Sequence, residues 1–176
     1  MKTFKEVMLI FVMSLVIGLI VNKVNPKGIP LIRDDKGRFE VDSSAVKENS
    51  GEKQEKVLTK EGFVKPQNIP VETAKKLFDE KVIFIDGREP NEFNEGHIQG
   101  AINIPYKEFF ALSAEEKLKM MGNIDKEATI VSYCGGGECE ISIDNAYEMA
   151  KIGYNDLKIY LGGYLEWTAK GYPVTK

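Results

Sequence analysis

Two cysteines and one histidine are all that 176 residues offer in thiol and imidazole groups. That is too few for a disulfide scaffold or a structural zinc site. Cysteine usage therefore leaves the redox compartment open, and no metal or other cofactor is expected. There is no basic stripe either. Lysine and arginine number 24 against 27 acidic residues, a net charge of −3 spread along the chain. Nucleic acid is thereby excluded as an expected partner. No internal repeat is visible, and no arginine follows residue 134.

What the chain does have is a long apolar run near its start. Met1 to Glu6 is a short polar head, and Val7 to Val21 carries no charge. At 1.5 Å per residue this run covers about 22 Å of a ~30 Å hydrocarbon core. Extending it from Phe4 to Val24, with Lys5 and Lys23 snorkelling, makes the length sufficient. No small-residue cleavage site comes after it; Asn22-Lys23-Val24-Asn25-Pro26 stands there instead. Residues 7–24 are therefore expected to be an uncleaved single-pass membrane anchor rather than a signal peptide. Lys23, Lys27, Arg33, Lys36 and Arg38 outnumber Lys2 and Lys5, which would hold the main domain in the cytoplasm. A short head with one N-terminal anchor instead exports the domain behind it, and an extracytoplasmic domain is the expectation adopted.

Residues 25–65 read as a tether. Gly28 to Ile32 is a candidate docking segment, and Arg38 to Asp42 alternates like a short strand. Ser43 to Glu61 is rich in Lys, Glu and Ser and too poor in apolar residues to order itself.

The pattern changes at Pro66. Val71 to Asp79 has helical spacing; Val82 to Ile85 is a short continuous apolar run, and Ala101 to Ile104, Ala128 to Tyr133 and Leu157 to Leu161 are short, mainly apolar runs of the same kind. Between them lie a helix start at Pro90, a turn at Gly96 to Gly100, one or two helices over Tyr106 to Met121, and helices over Ile141 to Ile152 and Tyr164 to Ala169. Such alternation predicts an α/β fold with a central, mainly parallel sheet flanked by helices. Ligands then bind beyond the carboxyl ends of the strands.

Cys134 lies at one such end, in Tyr133-Cys134-Gly135-Gly136-Gly137-Glu138-Cys139-Glu140. A strand, a glycine-rich turn and a helix start point backbone N–H groups and a helix dipole at the sulfur. Both favour the thiolate, which is the nucleophile. The alternative is that the glycines mark a tight turn and the cysteine is a small buried hydrophobe.

The ordered set Ile85-Asp86-Gly87-Arg88, Glu92-Phe93, Gly96-His97-Ile98-Gln99-Gly100-Ala101-Ile102-Asn103-Ile104-Pro105, Tyr133-Cys134 and Leu161-Gly162-Gly163, with Trp167 and Gly171-Tyr172-Pro173-Val174, resembles the rhodanese domain family. The resemblance covers residues 66–176 and not the anchor or tether. It implies that Cys134 accepts a sulfane sulfur as a persulfide and passes it to a thiol or cyanide. Gly135, Gly136, Gly137 and Glu138 would line the substrate, with Arg88 a candidate contact; the partner would be a small sulfur donor or a protein persulfide.

Two departures matter. Where the family carries an arginine and then a serine or threonine, this chain has Cys139 and Glu140. Ser142 takes the hydroxyl position if the loop is enlarged by about two residues. Glu138 and Glu140 also crowd the sulfur. A like charge about 5 Å away costs on the order of 3 kcal/mol at an effective dielectric of ~20. The helix dipole offers only about 0.3–1 kcal/mol. Thiosulfate, a dianion, is expected to be a poor donor. Cys139 is a candidate resolving thiol, which opens thiol–disulfide exchange with Cys134 as an alternative; simple packing of Cys139 is the other. A binding module without catalysis is the rival from another class.

Weaker candidates are assigned scaffold roles. Arg88 is expected to pair with Glu92, and His97 to order its own turn. Tyr164 and Trp167 should cover the sheet edge, and Glu115-Glu116-Lys117 should form a solvated face.

Overall fold

The computed structural model describes residues 2–25, 57–137 and 140–176, which fall into two compact units. The docking segment and strand expected at residues 28–32 and 38–42, and most of the tether, lie outside the described residues.

The first unit contains helix α1, Lys2–Val24. The expected polar head is part of this helix, since nothing in Lys2 to Glu6 opposes helical backbone. Its 23 residues span about 34 Å. From Phe4 to Val24 the mean hydropathy is 2.4, and every apolar side chain in the stretch is exposed. Among the described residues this is the one helix long and apolar enough to cross a membrane.

The second unit runs β1 (Gln67–Ile69), α2 (Val71–Asp79), β2 (Ile83–Asp86), α3 (Pro90–Glu95), β3 (His97–Ile98), β4 (Ile102–Asn103), α4 (Tyr106–Ala111), α5 (Ala114–Met121), β5 (Thr129–Tyr133), α6 (Ile141–Lys151), β6 (Asp156–Tyr160), α7 (Gly163–Ala169) and β7 (Val174–Thr175). Five strands form one parallel sheet in the order β1-β6-β5-β2-β4. The expected α/β architecture is therefore the observed one. Where a sheet is covered on both faces, its strands become apolar throughout. Ile85, Ile130, Leu157 and Ile159 meet Ile143, Ala146 and Met149 of α6 and Phe109 of α4 on one face. Phe84, Val131, Tyr133 and Tyr160 meet Ala74 and Leu77 of α2 and Trp167 of α7 on the other.

The fold departs from expectation at four places. Gly96 to Gly100 is more than a turn: within it, β3 pairs antiparallel with β7, so the chain's last residues clasp the segment after α3. β1 is an additional strand; its Gln-Asn-Ile sequence lacks the apolar run that marks the other strands, and as an edge strand it holds Gln67 against Lys158 by a 2.5 Å hydrogen bond. Trp167 lies on the sheet face, fully buried, within 5.8 Å of Phe84 and 5.2 Å of Phe78 between ring centroids. Lys117 is buried rather than solvated, because it reaches the buried carboxylate of Glu148 on α6, which also accepts from Lys151 at 2.5 Å.

The packed unit also extends ahead of Pro66. Residues 57–65 fold back on themselves through Thr59 N–H to Phe63 O and Lys65 N–H to Val57 O, each 2.8 Å. Phe63 then packs edge-on against Tyr147, with ring centroids 6.1 Å apart.

Candidate active site

Side chains alternate along β5, so Ile130, Ser132 and Cys134 face α6 while Val131 and Tyr133 face the opposite layer. The Ser132 hydroxyl donates to the Ser142 carbonyl at 2.9 Å, pinning the first turn of α6 to the strand. This brings the Ser142 hydroxyl to 3.6 Å from the Cys134 sulfur. A hydroxyl here can donate to a thiolate and favour the charged form. Both side chains are completely buried.

Two of the loop's glycines are required by backbone conformation. Gly136 and Gly137 have φ of 111° and 73°, values that side chains rarely tolerate. A Cβ on Gly136 would also overlap the carbonyl oxygen of Gly162. Reciprocally, a Cβ on Gly163 would come within 2.6 Å of the Gly136 nitrogen and closer still to the Cys134 carbonyl oxygen. The Gly162-Gly163 turn is thus the second wall of the cysteine loop. It is joined to the loop by hydrogen bonds from Tyr164 N–H to Cys134 O at 2.8 Å and from Leu165 N–H to Gly135 O at 2.9 Å. Cys134 and Tyr164 stand 30 positions apart in the sequence, and no local signal marks their contact.

Arg88 does not pair with Glu92, as expected, but with the fully buried Asp86. Its Nε donates to both carboxylate oxygens at 3.0 and 3.1 Å; Nη2 donates to Asp86 Oδ2 at 2.6 Å and to the Gly96 carbonyl at 2.8 Å. Glu92 is occupied instead by the capping box of α3 with Glu89. The central carbon of the guanidinium lies over the Tyr164 ring, 4.4 Å from its centre. The space a Gly135 side chain would take is bounded by Arg88 Cδ at 3.9 Å. Burial opposes the charge on Arg88, yet the hydrogen bonds and charge of Asp86 outweigh it and hold its pKa above the ordinary arginine value. Burial, then the charge of Asp86, push the Tyr133 phenol well above its usual range, while the Ile98 N–H on its oxygen works the other way. The Asp86–Arg88 pair is neutral as a unit, and offers an anion little net potential.

His97 donates from Nδ1 to the Phe93 carbonyl at 2.9 Å and stacks on Phe93 with centroids 3.8 Å apart, which holds the segment after α3. Glu138 and Cys139 lie outside the described residues. Among the described residues, no three His, Cys, Asp or Glu side chains group to hold a metal. A cavity of about 280 Å³ lined by Phe78, Lys81, Val82, Phe84, Gln99 and Gly100 opens near the amino ends of β2 and β4, the opposite end of the sheet from Cys134.

Fold and site together define a small α/β domain with a cysteine loop at the carboxyl edge of a parallel sheet. The family model described as Rhodanese-like domain matches residues 70–170, more than half of the chain, and the chain belongs to that family. It is similar to a thiosulfate:glutathione sulfurtransferase of Saccharomyces cerevisiae, 30% identical over 102 residues, covering 53% of this chain and 69% of that protein. An HTH-type transcriptional regulator of Mycobacterium tuberculosis is 36% identical over 94 residues, covering 53% of this chain but only 38% of the regulator. Among solved structures, a protein of Saccharomyces cerevisiae superposes with a TM-score of 0.51 at 27% identity, covering 60% of this chain and 93% of its own.

Proposed function

We propose that this protein is a membrane-tethered sulfur carrier or sulfurtransferase working through Cys134. The Cys134 thiolate attacks the outer sulfur of a persulfide donor, R–S–SH. A new S–S bond forms, the donor's S–S bond breaks, and R–S⁻ leaves with the electron pair. An acceptor thiolate then attacks the outer sulfur of the Cys134 persulfide and releases the Cys134 thiolate. No external oxidant or reductant is consumed. The observation that carries this reading is Cys134 at the exit of β5 with the Ser142 hydroxyl 3.6 Å from its sulfur.

The charge arrangement supports a neutral or protein-borne donor over thiosulfate. No arginine follows Cys134, and Arg88, whose Cδ bounds the space beside Gly135, is neutralised by Asp86. The sulfur is buried, so transfer requires local opening of the loop. Cys139, five residues on, is the thiol positioned in sequence to resolve the persulfide or form a disulfide with Cys134. The length and hydropathy of α1 support a single-pass anchor.

A second reading, a binding module that keeps the fold without the chemistry, is favoured by the complete burial of Cys134. Mass spectrometry after incubation with a persulfide donor separates the two. An adduct of one sulfur atom, absent in Cys134→Ser, is the expected result. No adduct from any donor leaves the binding module.

A further inference from the structure

We propose that Asp86 and Arg88 are positioning residues for Cys134, acting through Tyr164. The proposal rests on the reading of Cys134 as a thiolate nucleophile. Three observations join into one chain of contacts. Asp86, fully buried, fixes the edge of the Arg88 guanidinium with three hydrogen bonds. The central carbon of that guanidinium lies over the Tyr164 ring, 4.4 Å from its centre. The main-chain N–H of Tyr164 holds the carbonyl of Cys134 itself at 2.8 Å.

A second arm reaches the cysteine from the other side. Gly87, between Asp86 and Arg88, donates its N–H to the Tyr133 carbonyl at 2.9 Å. Asn103 donates from Nδ2 to the carbonyls of both Asp86 and Arg88, at 3.1 and 2.9 Å, and so fixes this turn. The peptide carbonyls on both sides of the Cys134 Cα are thus held by groups that Asp86 and Arg88 arrange. Arginine is required because one group must give several N–H bonds to a carboxylate while lying over an aromatic ring; a lysine ammonium is a compact point charge without that fork. Since the pair carries no net charge, its effect on the sulfur is through geometry rather than electrostatic potential.

The charged and titratable groups on the elements that carry these contacts are Asp86 at the end of β2, Arg88 after it, Tyr133 of β5, Glu140 and Asp144 at the start of α6, and Tyr164 and Glu166 of α7; Glu138 follows Gly137 in the sequence. The Glu166 carboxylate accepts from Tyr160 at 3.0 Å. The test must therefore separate the pose of the sulfur from the charge around it.

The experiment is a thiolate ultraviolet difference titration of the full chain in detergent, subtracting the same titration of Cys134→Ser. It is run on wild type, Arg88→Lys, Tyr164→Leu and the double variant. The expected result is a wild-type midpoint below about 8.5, the ordinary cysteine value, and a rise of roughly one pH unit in each single variant. That is about a tenfold loss of thiolate near neutrality. The double variant should rise no further, because both changes cut one chain of contacts. The ratio of iodoacetamide to iodoacetate alkylation rates should stay unchanged.

A low wild-type midpoint that both variants keep overturns the positioning role. Additive shifts overturn transmission through Tyr164, and a selective loss of iodoacetate reactivity in Arg88→Lys makes Arg88 an anion contact instead. A wild-type midpoint at about 8.5 or above overturns the thiolate reading itself. Near-ultraviolet circular dichroism from the buried Trp167 reports folding. If Arg88→Lys fails there, Tyr164→Leu, at a half-buried position, carries the test.

Discussion

The Cys134 sulfur and the Ser142 hydroxyl lie 3.6 Å apart, both sealed from solvent, where β5 meets the first turn of α6. A hydrogen bond to a charged group is worth about 1.5–3 kcal/mol. Ser142→Ala removes the hydroxyl and leaves intact the carbonyl that Ser132 uses. Its expected effect is a rise of about one unit in the Cys134 pKa and roughly tenfold slower persulfide formation at neutral pH. Stopped-flow kinetics with a low-molecular-weight persulfide measure this. An unchanged rate would mean that the hydroxyl does not stabilise the thiolate.

Most of the parallel sheet is legible in the sequence because strands buried on both faces spell largely apolar runs, as Ile83 to Ile85 does throughout and Thr129 to Tyr133 does apart from Thr129 and Ser132. β1 is not, because Gln67-Asn68-Ile69 is recruited by pairing with β6 and not by its own composition. The cysteine loop can be located from its glycines and the strand before it. Its second wall cannot, since the contact of Gly136 with Gly162 joins distant stretches of chain. The partner of Arg88 is hidden for a related reason. At the surface a helix-spaced Glu92 would be a natural partner, but Arg88 is buried, and there the fully enclosed Asp86 demands the cation. Lys117 repeats the lesson: its sequence neighbours are exposed glutamates, while its partner Glu148 comes from another helix.

Charge at the loop should select against anionic reagents. Glu140 stands at the N-cap of α6, where a carboxylate repels an incoming dianion, and the Asp86–Arg88 pair supplies no compensating potential. Glu140→Gln should raise the rate of iodoacetate alkylation about fivefold, the equivalent of ~1 kcal/mol for a partly screened charge, with a smaller change for neutral iodoacetamide. Thiosulfate:cyanide turnover should stay far below that of an arginine-containing relative. Thiosulfate turnover equal to such a relative would refute the anion argument.

Glu148 gives the domain an acid-labile element. Burial raises its pKa, but hydrogen bonds from Lys117 and Lys151 and their charges outweigh it, so the folded value lies below the ordinary 4.5. A carboxylate whose pKa is depressed on folding stabilises above the unfolded value and loses that contribution as pH falls through the folded value. Glu148→Gln strands a buried ammonium and should cost about 3 kcal/mol near neutral pH. The gap between variant and wild type should narrow as the pH drops below about 4.5. Urea denaturation at several pH values reads both parts, and a gap that stays constant with pH removes Glu148 as its source.

Gly163 and Gly171 separate conformational strain from close packing. Both have positive φ, 57° and 71°, so a side chain at either costs about 1 kcal/mol in backbone strain. A Cβ on Gly171 would meet nothing within 4 Å, whereas one on Gly163 would press on Gly136 and on the Cys134 carbonyl. Gly171→Ala should therefore lose about 1 kcal/mol and leave persulfide formation intact. Gly163→Ala should lose that amount and a further ~1–3 kcal/mol from overpacking. It must also push the Cys134 loop away from α7, breaking the 2.8 Å bond from Tyr164, and persulfide formation should fall by roughly tenfold or more. Equal stability losses in the two variants, or full sulfur transfer in Gly163→Ala, would show that the Gly162-Gly163 wall does not set the position of the sulfur.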